Sequence, residues 1–285
     1  MRHLFVIAAC LLFFASSAYG SGAGVRPAWI DTEYAPGRAQ TSQLTVANDS
    51  VGPLTFEAIV TDLWYDPTTM NAAFLPAGST ERSAAPYVEV FPPKITVPPN
   101  SAGTFDLSIN LPEGTTGGWY ATIEIRNVPR RDGGGILRAQ TAMAFRVPLL
   151  LRPRNGGELN FETSEAHCTL PTAGGSGRVE ITMQNRGDTH RRPGVRAIVR
   201  DETGSVVANI NSPTPRFYLP GQQRTSTFEW TGTTAAESSY SVIGAIRFSE
   251  TGVIPFEASC AVPISSTSPE AAQDSSPEAG APGPQ

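Results

Sequence analysis

Lysine, cysteine and histidine are all scarce in this sequence. Lys94 is the one lysine among 21 cations, and the 285 residues include three cysteines and three histidines. The formal net charge is −5, and no block of basic residues interrupts the acidic balance. A surface that follows nucleic-acid phosphates needs clustered lysine and arginine, so we expect no nucleic-acid partner.

Sequence motifs of catalysis are also missing. The chain contains no G-x-S-x-G elbow, no H-E-x-x-H and no phosphate-binding Walker loop. His167 stands beside Cys168 without a C-x-x-C pair or a second histidine cluster, which argues against a metal site. His190 lies in the arginine-rich turn DTHRRPG and is predicted to be a solvated residue at a hairpin tip. We therefore expect no enzyme activity, no cofactor and no metal.

Long apolar runs are confined to the start of the chain. Residues 1–20 are predicted to be a secretory signal peptide. They combine a basic beginning, an apolar stretch from Leu4 to Phe14 and the small residues of Ala18-Tyr19-Gly20. This stretch is shorter than the roughly 20 residues of a membrane span, so no transmembrane segment is expected in the mature chain. The alternative is that IAAC, ending at Cys10, is a lipoprotein box, although that cut would fall inside the apolar stretch.

Two cysteines remain once the leader is removed, Cys168 and Cys260. In an oxidising compartment such a pair most often forms a disulfide. The loop-entropy model assigns a bridge of this span about 4–5 kcal/mol, which is an upper figure because strain is ignored. Two buried free thiols are the alternative.

Helical periodicity is absent, whereas alternating strand patterns recur in the same order in both halves of the chain. The segment SQLTVANDSVGPLTFEAIVTD (42–62) is matched by GRVEITMQNRGDTHRRPGVRAIVRD (177–201), and GGWYATIEIRN (117–127) by SSYSVIGAIRFSE (238–250). Each half accommodates about seven short strands, the number expected for an immunoglobulin-like sandwich. The predicted fold class is all-β, with two tandem immunoglobulin-like β-sandwich domains.

The domain boundary is predicted in LRPRNGG (151–157), where the strand pattern gives way to a proline and two glycines. This gives an N-terminal domain over 21–153 and a C-terminal domain over 154–264. Residues 265–285 contain no large apolar side chain and are predicted to be a disordered tail. The aromatic residues expected to fill the cores are Phe56, Phe105, Trp119, Tyr120, Phe228 and Trp230.

Four segments, taken in order, resemble the PapD-like periplasmic pilus chaperones of Gram-negative bacteria. They are LTVANDSVGPLTFEAIVTD, APYVEVFPPKITVPPNSAGTFDLSI, WYATIEIRNVPRR and a last strand closing on LLLRP. The resemblance implies a periplasmic, non-catalytic chaperone whose first domain lends its last strand to an incomplete, β-rich subunit of a pilus or other secreted fibre. An outer-membrane usher is a further candidate partner.

By this resemblance, residues 137–151 form the donated strand. Its alternate side chains would enter the groove of the subunit, and Arg146 is a further candidate contact. An ordinary core strand has the same apolar alternation, so the sequence leaves both interpretations open. The candidate subunit-binding residues are Leu137, Ala139, Thr141, Met143, Phe145 and Arg146, and the alternation continues to Val147.

The resemblance also implies two cations that bind the terminal carboxylate of the subunit. The matching positions here are Asp31 and Pro148, which supply no positive charge. Arg26, Arg146 and Arg152 are candidate substitutes, with Arg26 and Arg152 as the candidate cleft anchor. The missing cations motivate the alternative function, a two-domain envelope or surface protein with a structural or adhesive role. In that case the last strand of the first domain is permanently covered and Pro148 protects a sheet edge.

Overall fold

The computed structural model describes residues 22–65, 72–128, 142–171, 176–212, 216–231 and 239–261. Within these ranges the chain forms seventeen β-strands, one 3-10 turn at Ala85–Tyr87 and no α-helix. The all-β prediction is confirmed. The predicted leader (1–20) and tail (265–285) lie outside the described residues.

The strands are short and follow one another closely. The first ten are β1 (Ala23–Arg26), β2 (Ile30–Tyr34), β3 (Gln40–Asn48), β4 (Leu54–Tyr65), β5 (Ala72–Leu75), β6 (Val88–Phe91), β7 (Lys94–Val97), β8 (Ser101–Ile109), β9 (Trp119–Asn127) and β10 (Ala144–Pro153). The remaining seven are β11 (Phe161–Thr169), β12 (Gly177–Asn185), β13 (Gly194–Asp201), β14 (Val206–Asn211), β15 (Gln223–Trp230), β16 (Tyr240–Arg247) and β17 (Val253–Ala261).

Two compact units follow from the contacts between Cα atoms. Among the described residues, the first unit consists of the chain up to Glu162 together with Gln184–Arg192 and Arg216–Arg224. The second consists of Thr163–Met183, Pro193–Pro215 and the chain from Thr225 onward. The domain limits expected from the sequence, 21–153 and 154–264, stay a prediction.

The first ten strands form two sheets in the order of an immunoglobulin-like sandwich. One sheet has the order β1-β3-β8-β6, and the other has the order β2-β10-β9-β4-β5 with β7 also paired to β4. Lettered by chain order, these are the A-B-E-D and A′-G-F-C-C′ arrangements of that fold. β10 therefore occupies the position of the last strand, next to β9.

Alternation of side chains explains why the two sheets pack face to face. In β3 and β8, Leu44 lies opposite Phe105 in the strand register, and both side chains are fully buried, as is Val46. Successive residues of a strand point to opposite faces, so the polar residues between them remain in solvent. Burying each such side chain contributes about 1.5–3 kcal/mol.

The last seven strands follow the order β14-β13-β16-β17-β11-β12-β15. β11 and β17 pair in parallel at only two positions, Cys168 with Cys260 and Thr169 with Ala261. This narrow junction separates a C′-C-F-G group from an A-B-E group, again an immunoglobulin-like arrangement. The tandem fold class is thereby confirmed, and the predicted disulfide between Cys168 and Cys260 is present at the junction.

The predicted core aromatics are buried, with two refinements. Phe56, Phe105, Phe228 and Trp230 are each at most 9% exposed. Trp119 is half-buried and packs against the core of the first sandwich, with its indole N–H donating to the Thr116 carbonyl. Tyr120 is 2% exposed but belongs to a separate cluster with Leu63, Leu150 and Leu219.

One buried asparagine closes the equivalent turn in each half of the sequence repeat. The Asn48 amide donates to the Val97 carbonyl at 2.9 Å, and its oxygen accepts the Ser50 N–H at 3.0 Å. The Asn185 amide donates in the same way to the Tyr218 carbonyl at 2.9 Å. Both asparagines are fully buried, so these bonds satisfy groups that would otherwise be costly to remove from water.

Candidate functional site

β10 has a neighbouring strand along most of its length on one side only. It pairs antiparallel with β9 from Ala144 (opposite Arg126) to Leu151 (opposite Trp119). On its other side it pairs in parallel with β2, but only from Leu149 to Pro153. Among the residues that the structure describes, Ala144–Pro148 therefore have no strand beside them on that second side. We call these five residues the open edge.

The register of β10 and β9 determines which backbone groups the open edge presents. The Asn127 N–H donates to the Met143 carbonyl at 3.0 Å, so the main chain of Met143 is directed towards β9. Backbone direction alternates along a strand, and Phe145 and Val147 are therefore directed towards β9 as well. The intervening residues point outward, so the open edge offers the N–H and C=O of Ala144 and Arg146.

This geometry explains how Pro148 fits within a strand. Proline has no N–H, and in the middle of a sheet it would remove a ladder hydrogen bond. At Pro148 the missing N–H would have pointed away from β9, so the β9–β10 ladder loses nothing. Pairing with β2 begins at the next residue, Leu149. Pro148 thus marks the junction between the open edge and the paired part of β10.

The side chains of β10 divide between two faces. Val147, Leu149 and Leu151 are at most 2% exposed and belong to the core of the first sandwich, and Phe145 packs against that core while remaining half-buried. Met143 is half-buried, and its N–H donates to the Asn127 side chain at 2.6 Å. Leu137, Ala139 and Thr141 lie outside the described residues. The part of the predicted donor strand that is described is thus held firmly by its own domain.

Arg146 lies on the opposite face and already has partners there. Its Nε donates to Glu124 Oε2 at 2.9 Å, and its guanidinium lies 4.3 Å from the centre of the Phe74 ring. Glu124 is directly opposite Arg146 in the β9–β10 register. These contacts hold the Arg146 side chain against the sheet face while its backbone groups remain directed to the open edge.

The two candidate anchor cations lie in different sheets of the first sandwich. Arg26 ends β1 in the four-stranded sheet, where it lies opposite Thr45, whereas Arg152 lies in β10 of the other sheet. Arg152 Nη1 donates to Asp31 Oδ1 at 2.7 Å, and Arg152 Nε lies 3.8 Å from Glu33 Oε1. The charge of Arg152 is therefore balanced by acids of the adjacent strand β2.

His190 is buried, which corrects the prediction that it is a solvated turn residue. Its side chain is 3% exposed, and its Nε2 lies 3.1 Å from Asp31 Oδ1. The rings of Tyr120 and Phe217 meet its imidazole edge-to-face at 5.7 Å and 5.9 Å. The turn sequence is polar, but Asp31 supplies an acceptor and the two aromatic rings exclude water.

Asp31 is held ionised by its partners. Burial on its own raises the pKa of this carboxyl, but the hydrogen bond and charge of His190 and the guanidinium of Arg152 outweigh it and lower the pKa below its ordinary value. The position that the resemblance assigns to an anchoring cation thus carries a stable negative charge. The sequence contains no signal that His190 and Arg152 are partners of Asp31.

A cleft of about 530 Å³ opens at the ends of β2 and β10 in the first unit. Its lining includes Tyr34, Pro153, Arg154, Glu158 and Asp188 and contains no histidine, cysteine or lysine. Burial, reinforced by Asp188, raises the pKa of the Tyr34 hydroxyl to about 12, and this hydroxyl donates to the Gly117 carbonyl at 2.7 Å.

Two further features bear on the class of protein. Within the described ranges, no cluster of three or more His, Cys, Asp and Glu side chains is arranged to hold a metal ion. The same ranges include no helix with the length and apolar character of a membrane span.

Comparison with known proteins gives matches of structure alone. No family model and no curated protein matches the sequence. The YadV chaperone shares 13% identity over 83% of this chain and 98% of its own, with a TM-score of 0.43. The class 5 fimbriae chaperone CfaA shares 10% sequence identity over 85% of this chain and 100% of its own, with a TM-score of 0.46. The SafB chaperone, solved with the Salmonella enterica pilin SafA, shares 13% sequence identity over 84% of this chain and 96% of its own, with a TM-score of 0.44. All three likenesses are distant.

Proposed function

We propose that this protein is an exported, non-catalytic chaperone that binds a β-rich secreted fibre subunit along the open edge of β10. The observation that carries the proposal is the free side of Ala144–Pro148, which presents the outward backbone groups of Ala144 and Arg146. A partner strand added there would gain main-chain hydrogen bonds, the usual mode of β-strand addition. The distant likeness to fimbrial chaperones agrees with this function.

The open edge is suited to donate a strand because the rest of β10 is fixed. Val147, Leu149 and Leu151 are buried in the core of the first sandwich, and β9 pairs with the strand from Ala144 onward. A rigid strand loses little conformational entropy when a partner adds to it, so pre-organisation favours binding. Phe145 and Met143, both half-buried, retain apolar surface that a partner groove would cover.

The proposed anchoring differs from the two-cation scheme that the resemblance implies. Arg152 is already paired with Asp31 and Glu33, and Arg26 lies in the other sheet. Backbone pairing along the open edge and apolar contacts of the donated strand would therefore supply the affinity. The predicted signal peptide places this binding in the periplasm, with an outer-membrane usher as a further proposed partner.

The decisive experiment removes one edge-directed N–H while leaving the β9 ladder intact. Arg146→Pro does this, because the Arg146 N–H points away from β9 as the missing N–H of Pro148 does. Arg146→Ala is the matched control, since it removes the same side chain and keeps the N–H. Each variant is expressed in a Gram-negative host with the small secreted proteins encoded beside its gene, and complexes are isolated from the periplasm.

The proposal predicts a stoichiometric subunit with wild type and with Arg146→Ala, and loss of that subunit with folded Arg146→Pro. Met143→Asp should also reduce capture by placing a charge on the apolar strand. A folded protein that captures no subunit in any form would instead favour the structural or adhesive role.

A further inference from the structure

β17, the last strand of the second sandwich, has a free side that is longer than the open edge of β10. It pairs antiparallel with β16 from Val253 to Ser259. On its other side it meets β11 only at Cys260 and Ala261. Within the part of the chain that the structure describes, Val253–Ser259 therefore have no strand beside them on that side. We call these seven residues the second edge.

Two hydrogen bonds determine which backbone groups the second edge presents. The Phe248 N–H donates to the Gly252 carbonyl at 3.1 Å, so the main chain of Gly252 is directed towards β16. On the opposite side, the Leu170 N–H donates to the Ala261 carbonyl at 2.9 Å. Backbone direction alternates along a strand, and both bonds agree that the odd-numbered residues of β17 are directed away from β16. The outward residues of the second edge are Val253, Pro255, Glu257 and Ser259.

The second edge borders apolar side chains that are only partly covered. Ile254 and Phe256 lie on the core side of the sheet, where Ile254 is opposite the fully buried Ile246, yet both remain half-buried. Every residue of β17 keeps some exposure to solvent. A long edge with alternating apolar residues is a template for pairing with another chain. Without a protecting feature, this edge would favour self-association.

Each of the two free edges contains one proline at an outward position, but the prolines lie at different places. In the open edge Pro148 is the last residue, so Ala144 and Arg146 keep both of their backbone groups. In the second edge Pro255 is the second of four outward residues, and it is exposed. It lacks the N–H that a partner strand would need there, and its ring takes the place of that donor.

Two copies of the chain cannot pair along the second edge without involving Pro255. In a two-fold antiparallel pair, centring the register on Pro255 sets the two prolines opposite each other. Centring it on Phe256 sets Pro255 opposite Glu257. Centring it on Glu257 sets the two carboxylates opposite each other, which is destabilising, and Pro255 opposite Ser259. Each of these registers lacks two hydrogen bonds, one for each copy, and registers that avoid Pro255 pair at most two outward residues.

We propose that Pro255 is a specificity-determining residue, which closes the second edge to a partner strand and so decides which of the two last strands, β10 or β17, accepts one. The role of β10 in this statement rests on the proposed function. The closure of the second edge does not, because it acts in the isolated protein and is tested without a fibre subunit.

The test restores the missing donor. Pro255→Val supplies an N–H and a residue with high β-propensity. Ser259→Val is the matched control, because it adds the same side chain to the second edge and leaves Pro255 in place. The full-length exported protein and the two variants are compared by sedimentation velocity over a series of protein concentrations, in the absence of any subunit.

The proposal predicts that wild type and Ser259→Val stay monomeric and that Pro255→Val forms a dimer. The association constant of Pro255→Val should exceed that of wild type about tenfold or more, the gain expected from two hydrogen bonds per dimer. In that dimer the amides of Glu257 and Ser259 should exchange more slowly than in wild type. Should Pro255→Val not fold, Pro255→Ala restores the same N–H with a smaller side chain and is judged by the same criteria.

A double variant shows which edge forms the dimer. Adding Arg146→Pro to Pro255→Val blocks the open edge of β10 and should leave the dimer intact. A dimer lost in the double variant would mean that association uses β10, and it would overturn the proposal. Monomeric Pro255→Val, or a wild type that already pairs through the second edge, would overturn it as well. Since no subunit is present, any of these failures is separate from a failure of strand donation.

Discussion

Asp31 accepts hydrogen bonds from His190 and Arg152, and Asp31→Ala removes the acceptor for both side chains. We expect most of the resulting loss of stability to come from the His190 contact. His190 is 97% buried, so water cannot replace the lost contact, and an unsatisfied buried group costs about 1–3 kcal/mol. Arg152 is 36% exposed and can be re-solvated, so its share is at most about 1 kcal/mol. We expect Asp31→Ala to lower the free energy of unfolding by about 2–3 kcal/mol at pH 7.

Urea denaturation of wild type, Asp31→Ala and Arg152→Ala measures these terms separately. Arg152→Ala leaves the His190 contact in place and should cost less than about 1 kcal/mol. The pKa of Asp31 is lowered in the folded state, so its contribution is fully present above its unfolded pKa of about 3.9. That contribution is lost as the pH falls through the lower folded pKa. The difference in free energy of unfolding between wild type and Asp31→Ala should therefore become smaller in this pH range. Equal losses in the two variants, or a gap that widens in acid, would refute this reasoning.

Two further predictions concern the two halves of the fold. Leu149→Ala, at a fully buried position of β10, should lower the free energy of unfolding by about 2–5 kcal/mol in urea denaturation, and a loss below about 1 kcal/mol would show that β10 is not part of the core. Replacing Cys168 and Cys260 together by serine should lower the free energy of unfolding by about 2–5 kcal/mol in the same measurement. If the oxidised wild type and the double-serine variant had the same free energy of unfolding, the bridge would not be formed.

The architecture could be predicted because its signals are local and repeated. Alternation of apolar and polar residues gave the strands, and the recurrence of the same segments gave two similar domains. The asparagine turns show the repeat in detail, since Asn48 and Asn185 make equivalent side-chain bonds to a distant carbonyl. The sequence alone could not show how Pro148 fits within a strand. Only the β9–β10 register shows that its missing N–H lies on the side of β10 that faces away from β9.

The polar contacts could not be predicted because their partners are distant in sequence. His190 and Asp31 are 159 residues apart, and Arg152 and Asp31 are 121 apart. Nothing in the turn DTHRRPG indicates burial. The burial of Arg224 did leave a signal in the sequence, since Arg224 alternates with Phe228 and Trp230 on the buried face of β15. A charged residue in phase with core aromatics is a pattern to examine in other sandwiches.

Amide hydrogen exchange at single-residue resolution tests the open edge most directly. In the isolated protein, the amides of Ala144 and Arg146 should exchange fast, because they point away from β9, and those of Phe145 and Val147 should exchange slowly. Addition of the fibre subunit should slow Ala144 and Arg146 while leaving Phe145 and Val147 unchanged. Slow exchange of Ala144 and Arg146 in the isolated monomer would mean that the edge is already covered, and it would contradict strand donation.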